Sequence, residues 1–113
     1  MTTKTKNTPS ITKPKLPQGF KTKWVNALRS GNYTRGEGKM YDPKTGCYDA
    51  LGVAHRVAGV PKSEIANEHG PSAKYRFLPN MLVENAELVN KFIDFNDKGM
   101  SFKWTAAYIE HNL

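Results

Sequence analysis

Cys47 is the only cysteine of the chain, and Asp49, His55, His69 and His111 are the groups that could turn it into a nucleophile. That chemistry needs a base within hydrogen-bond reach of the thiol and a third group that orients the base. His55 follows Cys47 by eight residues and no spacing couples the two. Cys47 lies in a short apolar run just ahead of a buried helix, so a small packed thiol is expected there. A metal centre would need clustered ligands. The histidines and Cys47 stand singly, with no CxxC or HxxxH spacing, so neither a metal nor a cofactor is expected. Asp94, Asp97 and Glu110 read as solvated helix faces. Gly36 and Gly38 form a GxG, but a strand and turn follow it where a phosphate loop would have a helix N-terminus. No catalytic residue is assigned, and the expected class is a non-enzyme. An enzyme using Cys47 or a histidine is the remote alternative.

Charge offers a second kind of chemistry. The formal net charge is +7 over 113 residues, and it is unevenly placed. Residues 1 to 24 carry Lys4, Lys6, Lys13, Lys15, Lys21 and Lys23 and no acid, whereas residues 61 to 113 carry six basic residues against seven acids. Thr, Lys, Pro and Asn dominate residues 1–18, which read as a flexible basic arm ahead of one globular domain at 19–113. Such an arm supplies charge for phosphate backbones. It has no arginine or aromatic residue for base reading or stacking. Nucleic-acid contact is therefore assigned to these six lysines with help from Arg29, Arg35 and Lys39. There is no apolar run of about 20 residues to span a bilayer and no apolar signal segment, and one cysteine cannot form an internal disulfide. A cytoplasmic protein with no membrane contact is expected.

The elements that must position these residues centre on Gly36 to Gly59. Lys39-Met40-Tyr41 and Gly46-Cys47-Tyr48 read as a β-hairpin around Asp42-Pro43-Lys44-Thr45-Gly46, with Gly46 in the left-handed region. The period then changes to 3.6: Ala50, Leu51, Val53, Ala54, Val57 and Ala58 form the apolar face of a buried helix. Gly52 sits where another backbone approaches closely, and Gly59 and Pro61 end the helix. Phe20 to Ser30 reads as an amphipathic helix with Trp24 as its core anchor, and Asn32 to Gly38 as a loop. Val60 to Pro79 is a long connector with a short helical piece at 63–69 and a strand at Lys74–Leu78. Its polar and aromatic residues His69, Tyr75 and Arg76 are the candidate partner-binding surface. Ala86 to Phe95 reads as a helix burying Leu88, Val89, Phe92, Ile93 and Phe95, capped by Asn85 or Asn80. Ser101 caps a last helix from Phe102 to about His111, and the two are expected to form a tight pair. The fold class is α+β: three to four helices around a small antiparallel hairpin, with a third strand expected near Tyr75.

Three stretches carry a resemblance: WVNALRSGNYTRGEGKM, GCYDALGVAHRVAG and FIDFNDKGMSFKWTAAYIEHNL. Together they resemble a group of short, uncharacterised phage and prophage proteins with a W-x-x-ALRSG start, a YC-x-LGV middle and an ND-x-G-x-SF-x-x-IA-x-YIE end. The resemblance covers about Lys23 to Leu113 without the connector. The group brings no activity with it, and it implies a phage-encoded protein working in the host cytoplasm. The cysteine-rich middle is reduced here to Cys47, and Trp104 stands where an acidic residue is usual. Both departures argue against thiol chemistry. Phe92 to Glu110 also resembles the opening of a helix-turn-helix, but no third, basic helix follows to read a groove. The function expected is that of an accessory protein binding a host or phage protein. Nucleic-acid binding through the lysine-rich arm is the alternative, and the oligomeric state is left open.

Overall fold

The computed structural model describes residues 16–66 and 85–113. Its elements are α1 (Gln18–Arg29), β1 (Thr34–Arg35), β2 (Tyr41–Asp42), β3 (Cys47–Tyr48), α2 (Ala50–Val57), α3 (Lys62–Ile65), α4 (Ala86–Asp97) and α5 (Phe102–Asn112). The class is α+β, as the sequence implies.

Helix α1 turns Trp24, Val25 and Leu28 inward, three and four residues apart. Trp24 is fully buried, and its indole Nε1 donates to the Ala50 carbonyl 3.0 Å away, which satisfies the one polar atom it takes into the core. Leu16, just before the helix, is also buried. Gly31 leaves α1 at φ +80°.

The hairpin forms around the turn that Asp42 organises. Its carbonyl accepts from the Gly46 N–H (2.8 Å) and its Oδ1 from the Lys44 N–H (2.9 Å), with Gly46 at φ +74°. Tyr41 pairs Tyr48 and Asp42 pairs Cys47 in antiparallel register. The first strand starts later than the sequence implies. The Asp49 N–H still donates to the Met40 carbonyl at 3.2 Å, one step further in the same register, and Lys39 stands outside the pairing. The sheet is mixed, in the order β1-β3-β2. Its third strand is Thr34–Arg35, expected as loop, lying parallel to Cys47–Tyr48. The stretch expected as a strand near Tyr75 lies outside the described residues.

Helix α2 is the centre of the molecule. All five residues from Ala50 to Ala54 are buried, and Asp49 caps the helix by accepting from the Gly52 N–H at 2.7 Å. Gly52 fulfils the sequence expectation: a Cβ there would overlap the Met40 carbonyl, so the helix lies directly on the hairpin backbone.

Helices α4 and α5 are capped by Asn85 and Ser101, whose side-chain oxygens accept from Leu88 N–H and Trp104 N–H, each at 3.0 Å. They are not the tight pair the sequence suggests. Helix α5 packs chiefly on α1, through Ala106 and Ile109 in the core, while α4 meets it through the rings of Phe92, Phe95, Trp104 and Tyr108. Aromatic rings of this size hold the two axes apart. The buried stripe of α4 is also shifted. Leu88, Phe92 and Asn96 are buried, whereas Ile93, expected inside, is 43% exposed. Asn96 is buried with its amide on the Gly36 carbonyl, 2.8 Å away, and Ile93 lines the cleft beside it.

Candidate functional site

Two surface features stand out, and α4 contributes to both. The first is a cleft of about 470 Å³ between the Gly38–Met40 segment, the start of α2 and α4. Met40, Leu51, Val89 and Ile93 give it apolar walls. Asp49 and Asp97 bring carboxylates to it, Lys39 an ammonium and Asn96 an amide. Asp49 is buried, with 9% of its surface exposed, and makes no ion pair among the described residues. Its place at the start of α2 and the N–H groups of Gly52 and Leu51 favour the ionised form. Burial outweighs them. Desolvation, with a smaller push from Asp97, raises its pKa from 3.8 to about 6. The cleft therefore holds a carboxyl that is half-protonated only slightly below neutral pH.

The second feature is a column of aromatic rings running from the core to the surface. Trp24 lies 5.2 Å from Phe92, and Phe92 6.1 Å from Tyr108. Phe95 lies 4.8 Å from both Tyr108 and Trp104, and Trp104 stacks on Tyr108 at an interplanar angle of 14°. The outermost ring, Trp104, is 41% exposed. Lys103 beside it is exposed and has no ion-pair partner among the described residues.

The cations assigned to nucleic acid have different surroundings. Arg29 forms a bidentate pair with Glu110, at 2.9 and 3.1 Å, across 81 residues of sequence. The pair, chiefly through its hydrogen bonds, raises the Arg29 pKa and lowers that of Glu110. Arg35 is drawn into the fold: its Nη1 donates to the Asn96 carbonyl at 3.1 Å, and its other nitrogen lies 3.6 Å from Glu37. Lys21 is half-buried, and Lys23 and Lys39 are exposed, Lys39 at the cleft. Lys4, Lys6, Lys13 and Lys15 lie outside the described residues, as do His69, Tyr75 and Arg76.

Cys47 is half-buried in β3, with Sγ 3.8 Å from the Thr45 carbonyl. Neither His55 nor His111 forms a hydrogen bond with it. His55 turns its Nδ1 to the Leu51 carbonyl at 2.7 Å, and burial lowers its pKa against that bond. Among the described residues no three His, Cys, Asp or Glu side chains are grouped to hold a metal ion, and no helix is long and apolar enough to cross a membrane.

Sequence reasoning passed over both features. Asp49 read only as a candidate partner for the Cys47 thiol, and Trp104 as a departure from a pattern. Trp104 carried a usable signal: a tryptophan on the polar side of a short amphipathic helix. Asp49 carried none, because its burial is created by α4, more than 35 residues downstream.

Comparison with protein-family models, with curated proteins and with solved structures finds no match.

Proposed function

We propose that this chain is a small non-enzymatic accessory protein, of the phage type its sequence resembles, that acts by binding a host or phage protein. The observation that supports this is the exposed Trp104 at the end of a column of packed rings. A surface aromatic held in place by Tyr108 and Phe95 loses little rotamer freedom on docking, and such anchors dominate the energetics of protein interfaces. Lys103 beside it favours a partner pocket with an apolar floor and an acidic rim. The test is capture of partners from nuclease-treated bacterial lysate by the wild type, Trp104→Ala and a distant control, Lys62→Ala. The reading expects a stoichiometric protein held by the wild type and the control and lost with Trp104→Ala. A partner held equally by all three would overturn this assignment of the surface.

A second reading, nucleic-acid binding, draws on the lysine-rich start of the chain, where Lys21 and Lys23 make no ion pair among the described residues. Duplex binding by this end would weaken with a log–log salt slope of about −0.9 per neutralised phosphate. Changing Lys21 and Lys23 to Gln would flatten that slope, whereas Arg35→Gln would leave it unchanged, because the Arg35 guanidinium is already used within the fold.

A further inference from the structure

We propose that the cleft between the Gly38–Met40 segment and α4 is a binding site for a small organic cation, an ammonium or guanidinium head on a short apolar stem, with Asp49 as the counter-charge. The site is independent of the Trp104 surface and of any protein partner.

The cleft, open to solvent on one side, has a volume of about 470 Å³, within the range of small-molecule sites, about 300–1,000 Å³. Its chemistry is divided. Leu51, Met40, Val89 and Ile93 form apolar walls, while Asp49 and Asp97 add negative charge in a protein of formal net charge +7. Buried carboxylates are ordinarily paired with a cation. Asp49 is 9% exposed and meets only backbone N–H donors among the described residues. A cation entering the cleft would supply the counter-charge that these neutral donors do not, and apolar walls select one carried on a hydrocarbon stem over a hydrated metal ion. Lys39 also lines the cleft but makes no ion pair with either carboxylate. It disfavours doubly charged ligands and leaves room for a single positive head. Asp97 of α4 acts on Asp49 across this cleft and the Leu51 and Gly52 N–H groups bind it from its own helix, while Lys39 of the hairpin approach shares the lining.

The experiment is an amide-resolved NMR titration of the full chain with n-butylammonium chloride, with 1-butanol as the neutral isostere and sodium chloride as the ionic control. The proposal expects saturable shifts confined to Gly38–Leu51 and Val89–Asp97 with butylammonium alone. Affinity should fall about tenfold from pH 7.5 to pH 5, as Asp49 takes up its proton. Asp49→Asn keeps the helix cap and should weaken binding at least tenfold. Ile93→Lys, at an exposed position, should do the same by placing an ammonium at the cleft without disturbing the core. Equal binding of butanol, unchanged affinity in folded Asp49→Asn and Ile93→Lys, or no saturable shift at all would each overturn the proposal.

Discussion

The guanidinium of Arg35 donates to the backbone oxygen of Asn96, 3.1 Å away, and the Asn96 amide donates in return to the carbonyl of Gly36, at 2.8 Å. The two bonds lock the edge strand of the sheet to the last turn of α4. A cation there also faces the negative end of the helix dipole. One wall of the cleft is fixed by this lock, since Asn96 and Asp97 line it.

Removing the lock has a measurable cost. Asn96→Ala leaves the Gly36 carbonyl without its donor and opens a buried gap, and is expected to cost about 1–3 kcal/mol. Arg35→Ala is expected to fall in the lower part of that range, because the side chain is only partly buried. Urea unfolding of both variants measures this. A change within error for Asn96→Ala would mean that the reciprocal bonds do not hold the strand.

Two glycines in helices should respond in opposite senses. Gly52→Ala would drive a methyl group into the Met40 carbonyl, which is backbone and cannot swing aside. Separation of α2 from the hairpin should cost at least about 2–3 kcal/mol, as overpacked cores do. Gly19 lies in α1, where an added Cβ would meet nothing within 4 Å, and Gly19→Ala should stabilise by about 0.5–1 kcal/mol through helix propensity and reduced chain entropy. Thermal unfolding of the two variants decides both signs.

Asp49 sets a pH dependence of stability opposite to that of a salt-bridged carboxylate. Its folded pKa of about 6 lies above the unfolded 3.8, so the folded state binds the extra proton. The destabilisation is present in full above about pH 6 and relieved as pH falls towards 3.8. At about 1.4 kcal/mol per unit, its full size is about 3 kcal/mol. His55 works the other way: its lowered pKa makes stability fall as pH drops below 6.5. The comparison must therefore be between wild type and Asp49→Asn. The variant is expected to be more stable at pH 7.5 and to lose most of that advantage at pH 4.5. Urea midpoints at the two pH values test it, and an equal difference at both would show that Asp49 does not carry the effect.

The two tryptophans should separate in spectroscopy and in stability. Trp24 is fully buried and Trp104 is 41% exposed. Acrylamide should quench the emission of Trp104 and spare that of Trp24, so Trp104→Phe leaves a blue-shifted, poorly quenched signal. Trp24→Ala removes a core ring and its bond to Ala50, and should cost about 3–5 kcal/mol. Trp104→Ala loses only the contacts with Phe95 and Tyr108, about 1 kcal/mol. A strongly destabilised Trp104→Ala would show that this ring serves the fold more than a surface.

Much of the local structure was legible in the residues. Asp42 and Gly46 specify the hairpin turn because one side chain and one backbone conformation close it locally. The 3.6-residue spacing of Trp24 and Leu28, and of Ala50, Val53 and Ala54, identifies the buried helix faces. Asn85 and Ser101 mark helix starts because their hydrogen bonds reach only three residues ahead. Even Gly52 announced its close contact, since a bare backbone inside an apolar face has few other uses.

Tertiary structure alone decided the rest. Two-residue β1 is too short to show a period, and it becomes a strand only because Cys47 and Tyr48 lie beside it. Arg29 and Arg35 look like free surface charge until chain folding brings Glu110 and Asn96 to them from 81 and 61 residues away. Ile93 and Asn96 share one helix, and local pattern places the isoleucine inside. The fold instead buries Asn96 with its amide on the Gly36 carbonyl, 60 residues away, and leaves Ile93 43% exposed at the cleft. The chemistry of Asp49 belongs to the same class: its bond to the Gly52 N–H reaches only three residues ahead, whereas its burial arises where the Gly38–Met40 segment, α2 and α4 are brought together by folding.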